Sequence, residues 1–385
     1  MLLSFLAFTF LTAAYSLEDG ILRLNYTLHA DLLLTINLLG GVSLEIGSPP
    51  QPLGARFHFA VVPLLVSSER CGRPARGCPL YCVDDGFAEL YCRPLCFPLT
   101  PVNRGALCTR PFVATNSSTY TPLGGDWRVA LRCCRHRFFG QFARDVVRFV
   151  EGLQDFELEF VEGLLMQASG FDSAPAIFGL GLEDTSGRPG VVRQLHARGA
   201  IRAPVLSFAR YPTVLLGGLD RDSCGEWTRV PVVPQSGWTI RATVRLFGRE
   251  FVDQTVTFSF DRGELVIPRS ALRRLLATNV VWPRYCGGYV YPDWLCARSN
   301  APQRVEFAVD SGVFASGVAH VVEGDKFCAW DARDRSFCPA AVVRSSLGAP
   351  AAAEEPWIVG VNQLVGVCWS FDWERREVSL ANRIT

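Results

Sequence analysis

The sequence predicts an all-β protein with a few short helices, and three observations carry that expectation. "FELEFV" (156–161) and "QTVTFSF" (254–260) alternate apolar and polar residues with period two, as half-buried strands do. Turns bearing Gly and Pro recur between such segments. Helical periodicity is scarce, and only "GVVRQLHARG" (190–199) and "RSALRRLLATN" (269–279) read as short helices.

At 385 residues and 49% apolar, the chain is long enough for two cores in one molecule. Its 38 basic and 37 acidic residues nearly balance, so nothing global points to nucleic acid or an anionic membrane. Lys326 is the sole lysine and no G-x-x-x-x-G-K-[ST] occurs, which argues against a lysine-dependent nucleotide site. "MLLSFLAFTFLTAAYS" (1–16) is an apolar run ending in small residues and reads as a signal peptide cut before Leu17. No later segment is apolar for long enough to suggest a membrane span, so a secreted or secretory-lumen protein is expected. The sequons at Asn25 and Asn116 fit that route as glycosylation sites.

Fourteen cysteines follow the leader, an even number that reads as a disulfide framework in an oxidising compartment. Residues 71–108 concentrate Cys71, Cys78, Cys82, Cys92, Cys96 and Cys108 among prolines with little periodicity. The C-x-x-x-C spacings (78–82 and 92–96) also suit zinc, but no histidine lies nearby and the compartment favours bridges. A disulfide-knotted insertion is therefore expected, with neither metal nor cofactor. Cys133 and Cys134 are adjacent, a spacing that seldom bridges internally, so each is expected to reach a separate partner.

Five segments, in order, resemble the pepsin-like aspartic proteases along nearly the full mature length. "IGSPPQ" (46–51) is similar to that family's amino-terminal signature, and "AIFGLGL" (176–182) to its hydrophobic-hydrophobic-Gly element. "VLLGGLDRDSCGEWTRVPV" (214–232) resembles the opening of the second lobe, and "SFDRGELVIP" (259–268) lies where a second D-T-G belongs. "WIVGVNQLVGVCWSFDWERREVSLA" (357–381) resembles the terminal signature. The resemblance implies a bilobal acid-protease fold with a psi-shaped loop in each lobe and a peptide-binding cleft between them. Its lobes are expected at 17–208, carrying the 71–108 insertion and a flap over 129–147, and at 209–385.

Two close carboxylates cannot both ionise, so in that family they share a proton and activate one water. Carried over from Gln51, the first aspartate's place falls on His58, with Phe59 and Ala60 for Thr and Gly. Asp261 is expected at the second aspartate's place, with Arg262 for Thr and Gly263 retained. Cys133 stands where the flap tyrosine belongs, and Val361 replaces the acid after "WIVG". A histidine shares no carboxylic proton with Asp261, and neither Phe59 nor Arg262 has a hydroxyl to brace the pair. By the same resemblance Cys71–Cys78 and Cys296–Cys328 are expected as the two loop bridges. Asp310-Ser311-Gly312 matches D-[ST]-G but follows Cys296 at a hairpin position, and reads as ordinary turn chemistry.

The expected function is thus a secreted, glycosylated, monomeric pepsin-fold protein without standard endopeptidase activity, binding a peptide, glycan or protein in its cleft. The alternative is an atypical endopeptidase using His58 and Asp261, with Glu264 as a remote acid. Arg128, Arg132, Arg135, Arg137, Arg144 and Arg148 make the flap basic; they read either as a solvated face or as a positive rim for acidic ligands.

Overall fold

A computed structural model describes residues 17–25, 27–29, 39–72, 108, 110–131, 136–149, 155–167, 175–183, 186–208, 213–234, 236–246, 248–259, 265–277, 281–286, 289–297, 305–309, 312–316, 343–345, 355–360 and 367–384. They fold mostly as strands, arranged in three large sheets and one two-stranded ribbon, with helices at Val191–Ala197 and Arg269–Ala277.

The eight-stranded sheet belongs to the first half of the chain. Its order is Thr27–His29, Leu39–Ile46, Gln51–His58, Ala176–Gly179, Leu64–Ser67, Phe156–Gln167, His136–Arg148 and Thr121–Leu131. The strand from Phe156 shows why alternation is legible: Phe156, Leu158 and Phe160 are buried while Glu157 faces solvent. Leu64–Ser67 and Ala176–Gly179 are buried at every residue. Strands covered on both faces carry no alternation for a periodicity test to find.

A seven-stranded sheet in the second half runs Gly312–Ser316, Val305–Val309, Thr239–Leu246, Arg249–Phe258, Trp357–Val359, Leu265–Ile267, Val343–Ser345. The other seven-stranded sheet is shared, pairing Ile21–Asn25 with Thr213–Leu216, and Val205–Phe208 with Val367–Asp372. The expected boundary at 208/209 falls within this sheet, where Val205–Phe208 and Thr213–Leu216 are antiparallel neighbours.

Trp238, Trp357, Trp369, Phe178 and Phe371 are among the largest fully buried side chains. Removing such a ring from water stabilises the fold by about 1.5–3 kcal/mol. The helix Val191–Ala197 lays Val191, Val192 and Leu195 on this core. Its Gln194 side chain accepts from Glu159 N–H (2.8 Å) and donates to Glu159 C=O (2.9 Å), which locks it to the neighbouring strand.

Two disulfides occur among the described residues. Cys71 pairs with Cys108, which corrects the expected Cys71–Cys78 bridge. The reason is a return of the chain. Phe112 bridges Ser68 in parallel, its N–H donating to Ser67 C=O at 2.8 Å, and this brings Cys108 back beside Cys71. Cys224 pairs with Cys368 and ties the shared sheet to the loop at Ser223. No spacing rule predicts that pair, since many connectivities fit fourteen cysteines.

Candidate functional site: two strand crossings

The strand Gln51–His58 ends on His58, turns over Phe59 and Ala60, and returns as Leu64–Ser67. Ala176–Gly179 inserts between the two arms. It runs parallel to the first (Phe178 beside Phe57, Gly179 beside His58) and antiparallel to the second (Ile177 beside Leu65, Phe178 beside Leu64). The crossing is closed by Leu180 N–H donating to His58 C=O (2.9 Å) and Gly181 N–H to Val61 C=O (2.8 Å). A Cβ at Gly179 would lie 2.2 Å from the Pro63 carbonyl oxygen and 2.6 Å from that of Val61. Only glycine lets the backbones approach that closely.

The second half repeats the arrangement. Arg249–Phe258 and Leu265–Ile267 form the arms, and Trp357–Val359 inserts between them. It pairs in parallel with the first arm (Phe258 beside Val359) and antiparallel with the second (Val266 beside Ile358). Ser259 N–H then donates to Val359 C=O at 3.0 Å.

Three hydrogen bonds link the crossings. Leu180, bound to His58, accepts at its own carbonyl from Trp238 Nε1 (2.6 Å), and Trp238 C=O accepts from Phe258 N–H (3.0 Å). An aromatic cluster fills the space beneath. Phe371 meets Phe59 at 4.7 Å, Trp238 at 5.2 Å and Phe258 at 5.8 Å between ring centroids, mostly edge to face. Trp373 stacks edge-on against Trp238 at 4.9 Å and donates to Gly181 C=O.

His58 is only 5% exposed, and the Ala60 N–H donates to its Nδ1 at 3.2 Å. An imidazole accepting at Nδ1 carries its proton on Nε2 in the neutral form, and so offers an N–H donor there. The ring also meets Phe138 edge to face at 6.2 Å. Phe59, 6% exposed, contributes hydrocarbon contact where a threonine would offer a hydroxyl.

Phe138 comes from the hairpin of Thr121–Leu131 and His136–Arg148, in which Leu131 pairs with His136. Its Trp127, Phe138 and Phe142 pack with Val61, Leu65 and Ile177, so the hairpin is anchored on the first crossing. Two of its arginines are engaged by acids: Arg144 with Glu159 (3.1 Å), and Arg148 donating to Asp155 (2.8 Å). Of the other flap arginines, Arg132 and Arg135 lie outside the described residues. Behind the crossing, Glu162 is 3% exposed beside Val66 and accepts from Ser68, Tyr120 (2.6 Å) and Arg70 (3.2 Å). Burial pushes the Glu162 carboxyl up, but the Ser68 and Tyr120 hydroxyls and the Arg70 charge outweigh it and hold it below the ordinary range. The same burial and contact push the Tyr120 phenol up.

The expected residues divide as follows. His58 sits at the first crossing, as expected for the strand end. Asp261, Arg262, Gly263, Glu264, Cys133, Cys134, Val361, Asp310, Ser311 and Cys328, with nearly all of the 71–108 insertion, lie outside the described residues. Cys296 lies in the strand Tyr289–Ala297. Asn116 is exposed at the end of the turn Ala114–Asn116, whereas Asn25 is half-buried in a paired strand with Thr213 Oγ1 at 3.5 Å from its Oδ1. Phe138, Leu180 and Phe371 escaped the sequence reading, because an apolar residue in a core strand shows no sign of its long-range neighbour.

The profile of the family described as eukaryotic aspartyl protease matches residues 82–383. That stretch is well over half of the chain and begins after His58. Among curated proteins, none matches significantly.

Proposed function

The chain belongs to the eukaryotic aspartyl protease family, and we propose that within it this protein binds a ligand in its interlobe cleft without standard aspartic endopeptidase activity. The ligand class is a peptide or a peptide-like segment of a protein, and the lobes are taken as 17–208 and 209–385. The observation that carries this reading is the composition of the first crossing. His58 occupies the strand end at Gly179, and Phe59 beside it is packed on Phe371. A shared proton between two carboxylates needs an acid there, and a hydroxyl brace needs a side chain other than phenylalanine.

Disulfides at Cys71–Cys108 and Cys224–Cys368 support a secretory route. No helix among the described residues is long and apolar enough to cross a membrane. Of the two sequons, exposed Asn116 is the better acceptor for a glycan. In secreted material, Asn116→Gln is expected to remove a glycan mass that Asn25→Gln leaves in place, read by mass spectrometry before and after deglycosylation.

The test of the main reading is an assay of purified protein on denatured protein substrate from acid to neutral pH, beside Asp261→Ala. No cleavage at any pH is expected. Cleavage abolished by Asp261→Ala would overturn the reading in favour of a His58/Asp261 endopeptidase.

A further inference from the structure

We infer that the residue matched to His58 at the second crossing is Ser259, so the floor of the cleft pairs an imidazole with a hydroxyl rather than with Asp261. Two independent pairings fix this register. In the parallel pairing, Phe57 beside Phe178 corresponds to Phe258 beside Val359. In the antiparallel pairing, Leu65 beside Ile177 corresponds to Val266 beside Ile358. Phe57 to Leu65 and Phe258 to Val266 are equally long, so the motifs superpose without a gap. "FHFAVVPLLV" (57–66) then lies on "FSFDRGELVI" (258–267). His58 falls on Ser259, Phe59 on Phe260, Ala60 on Asp261 and Leu64 on Leu265.

The details on both flanks agree. Each strand end follows a buried phenylalanine, Phe57 and Phe258, and both rings reach the Phe208–Phe371 cluster. A slip by two residues would place Asp261 opposite His58. It would also put the antiparallel pair out of step with the parallel one, and strand pairing does not tolerate that without a bulge. The bonds from His58 C=O through Leu180 and Trp238 to Phe258 N–H bring the two strand ends together. Ser259 is half-buried at that point.

This deepens the cleft-binding reading, but the register stands without it. The floor it describes carries an imidazole and a serine hydroxyl, the kind of polar group that pairs with a ligand carbonyl or hydroxyl. Neither matched strand-end residue, His58 or Ser259, brings a carboxylate to hold a nucleophilic water.

The test is a proximity measurement on the unmodified protein with labelled histidine. A nuclear Overhauser contact from the His58 ring to the Ser259 β protons is expected. Contact to Asp261 alone, or to neither residue, overturns the register. As a second arm, Ser259→Asp is expected to raise the His58 pKa by one unit or more, since an opposite charge within hydrogen-bond reach does so. Asp261→Asn is expected to leave it within half a unit. A fall of a full unit in Asp261→Asn overturns the register whatever the first variant does. Neither arm reads proteolysis, so a failed register and a failed binding reading are told apart.

Discussion

At the first crossing the strand ends on buried His58 and turns over Phe59 and Ala60; at the second it ends on Phe258 and runs into Ser259. The inserted strands match as closely as the arms do, with Phe178 and Val359 in the same register. What differs is the chemistry the common backbone carries. Hydrogen bonds of main-chain groups and a glycine at the point of closest approach make the crossing, and neither needs a catalytic side chain. The scaffold therefore persists with aromatic packing in place of a hydroxyl brace.

The largest expected effect comes from breaking one crossing and sparing the other. Gly179→Ala forces a Cβ against the Pro63 and Val61 carbonyl oxygens, and the backbone has to move. A loss of about 4 kcal/mol or more is expected, at the exceptional end for one substitution. Val359→Ala, at the position of the second crossing that matches Phe178, only trims a buried side chain and is expected to cost about 1–3 kcal/mol. Denaturant unfolding of both variants measures the gap, and equal losses would refute the claim that close approach at Gly179 holds the first crossing.

Next in size, Phe59→Ala is expected to cost about 3–5 kcal/mol, because its ring is buried against Phe371. Phe59→Thr restores the hydroxyl residue of the family signature, yet it should cost nearly as much, since the cavity beside Phe371 remains. A threonine variant as stable as the parent would show that the aromatic contact does not brace the turn.

Glu162 sharpens the comparison through pH. Its folded pKa is depressed, so its contribution is present above the unfolded value of about 4.3 and is lost as pH falls through the folded value. Glu162→Gln should cost about 2 kcal/mol at neutral pH, typical of hydrogen bonds to a charged group. The difference from the parent should shrink below about pH 4. Urea titrations at several pH values check this; a gap that widens in acid has the wrong sign. The smallest effect is expected at the second strand end, where Ser259→Ala should change stability by less than about 1 kcal/mol. Its side chain is only half-buried, so little packing is lost.

Much of this was legible in the chain. The alternating stretch at 156–161, both helices and His58 at a strand end stood in the sequence, because each rests on local periodicity or on spacing along a single strand. Disulfide pairing did not. Cys71 reaches Cys108 only because Phe112 returns beside Ser68. The second strand end is harder to read for a related reason: under the register inferred above, Asp261 with Gly263 imitates the family's triplet two residues beyond the strand end.

By itself, then, the sequence determined the β-rich class, the fold family and a histidine at the end of the strand Gln51–His58, since period, turn chemistry and motif order are local properties. Only the tertiary structure decided which residues meet across the crossings. Pairing register joins segments more than a hundred residues apart, such as Phe57 with Phe178 and Phe258 with Val359. A hydrogen-bond ladder fixes that register collectively, and no single position announces it.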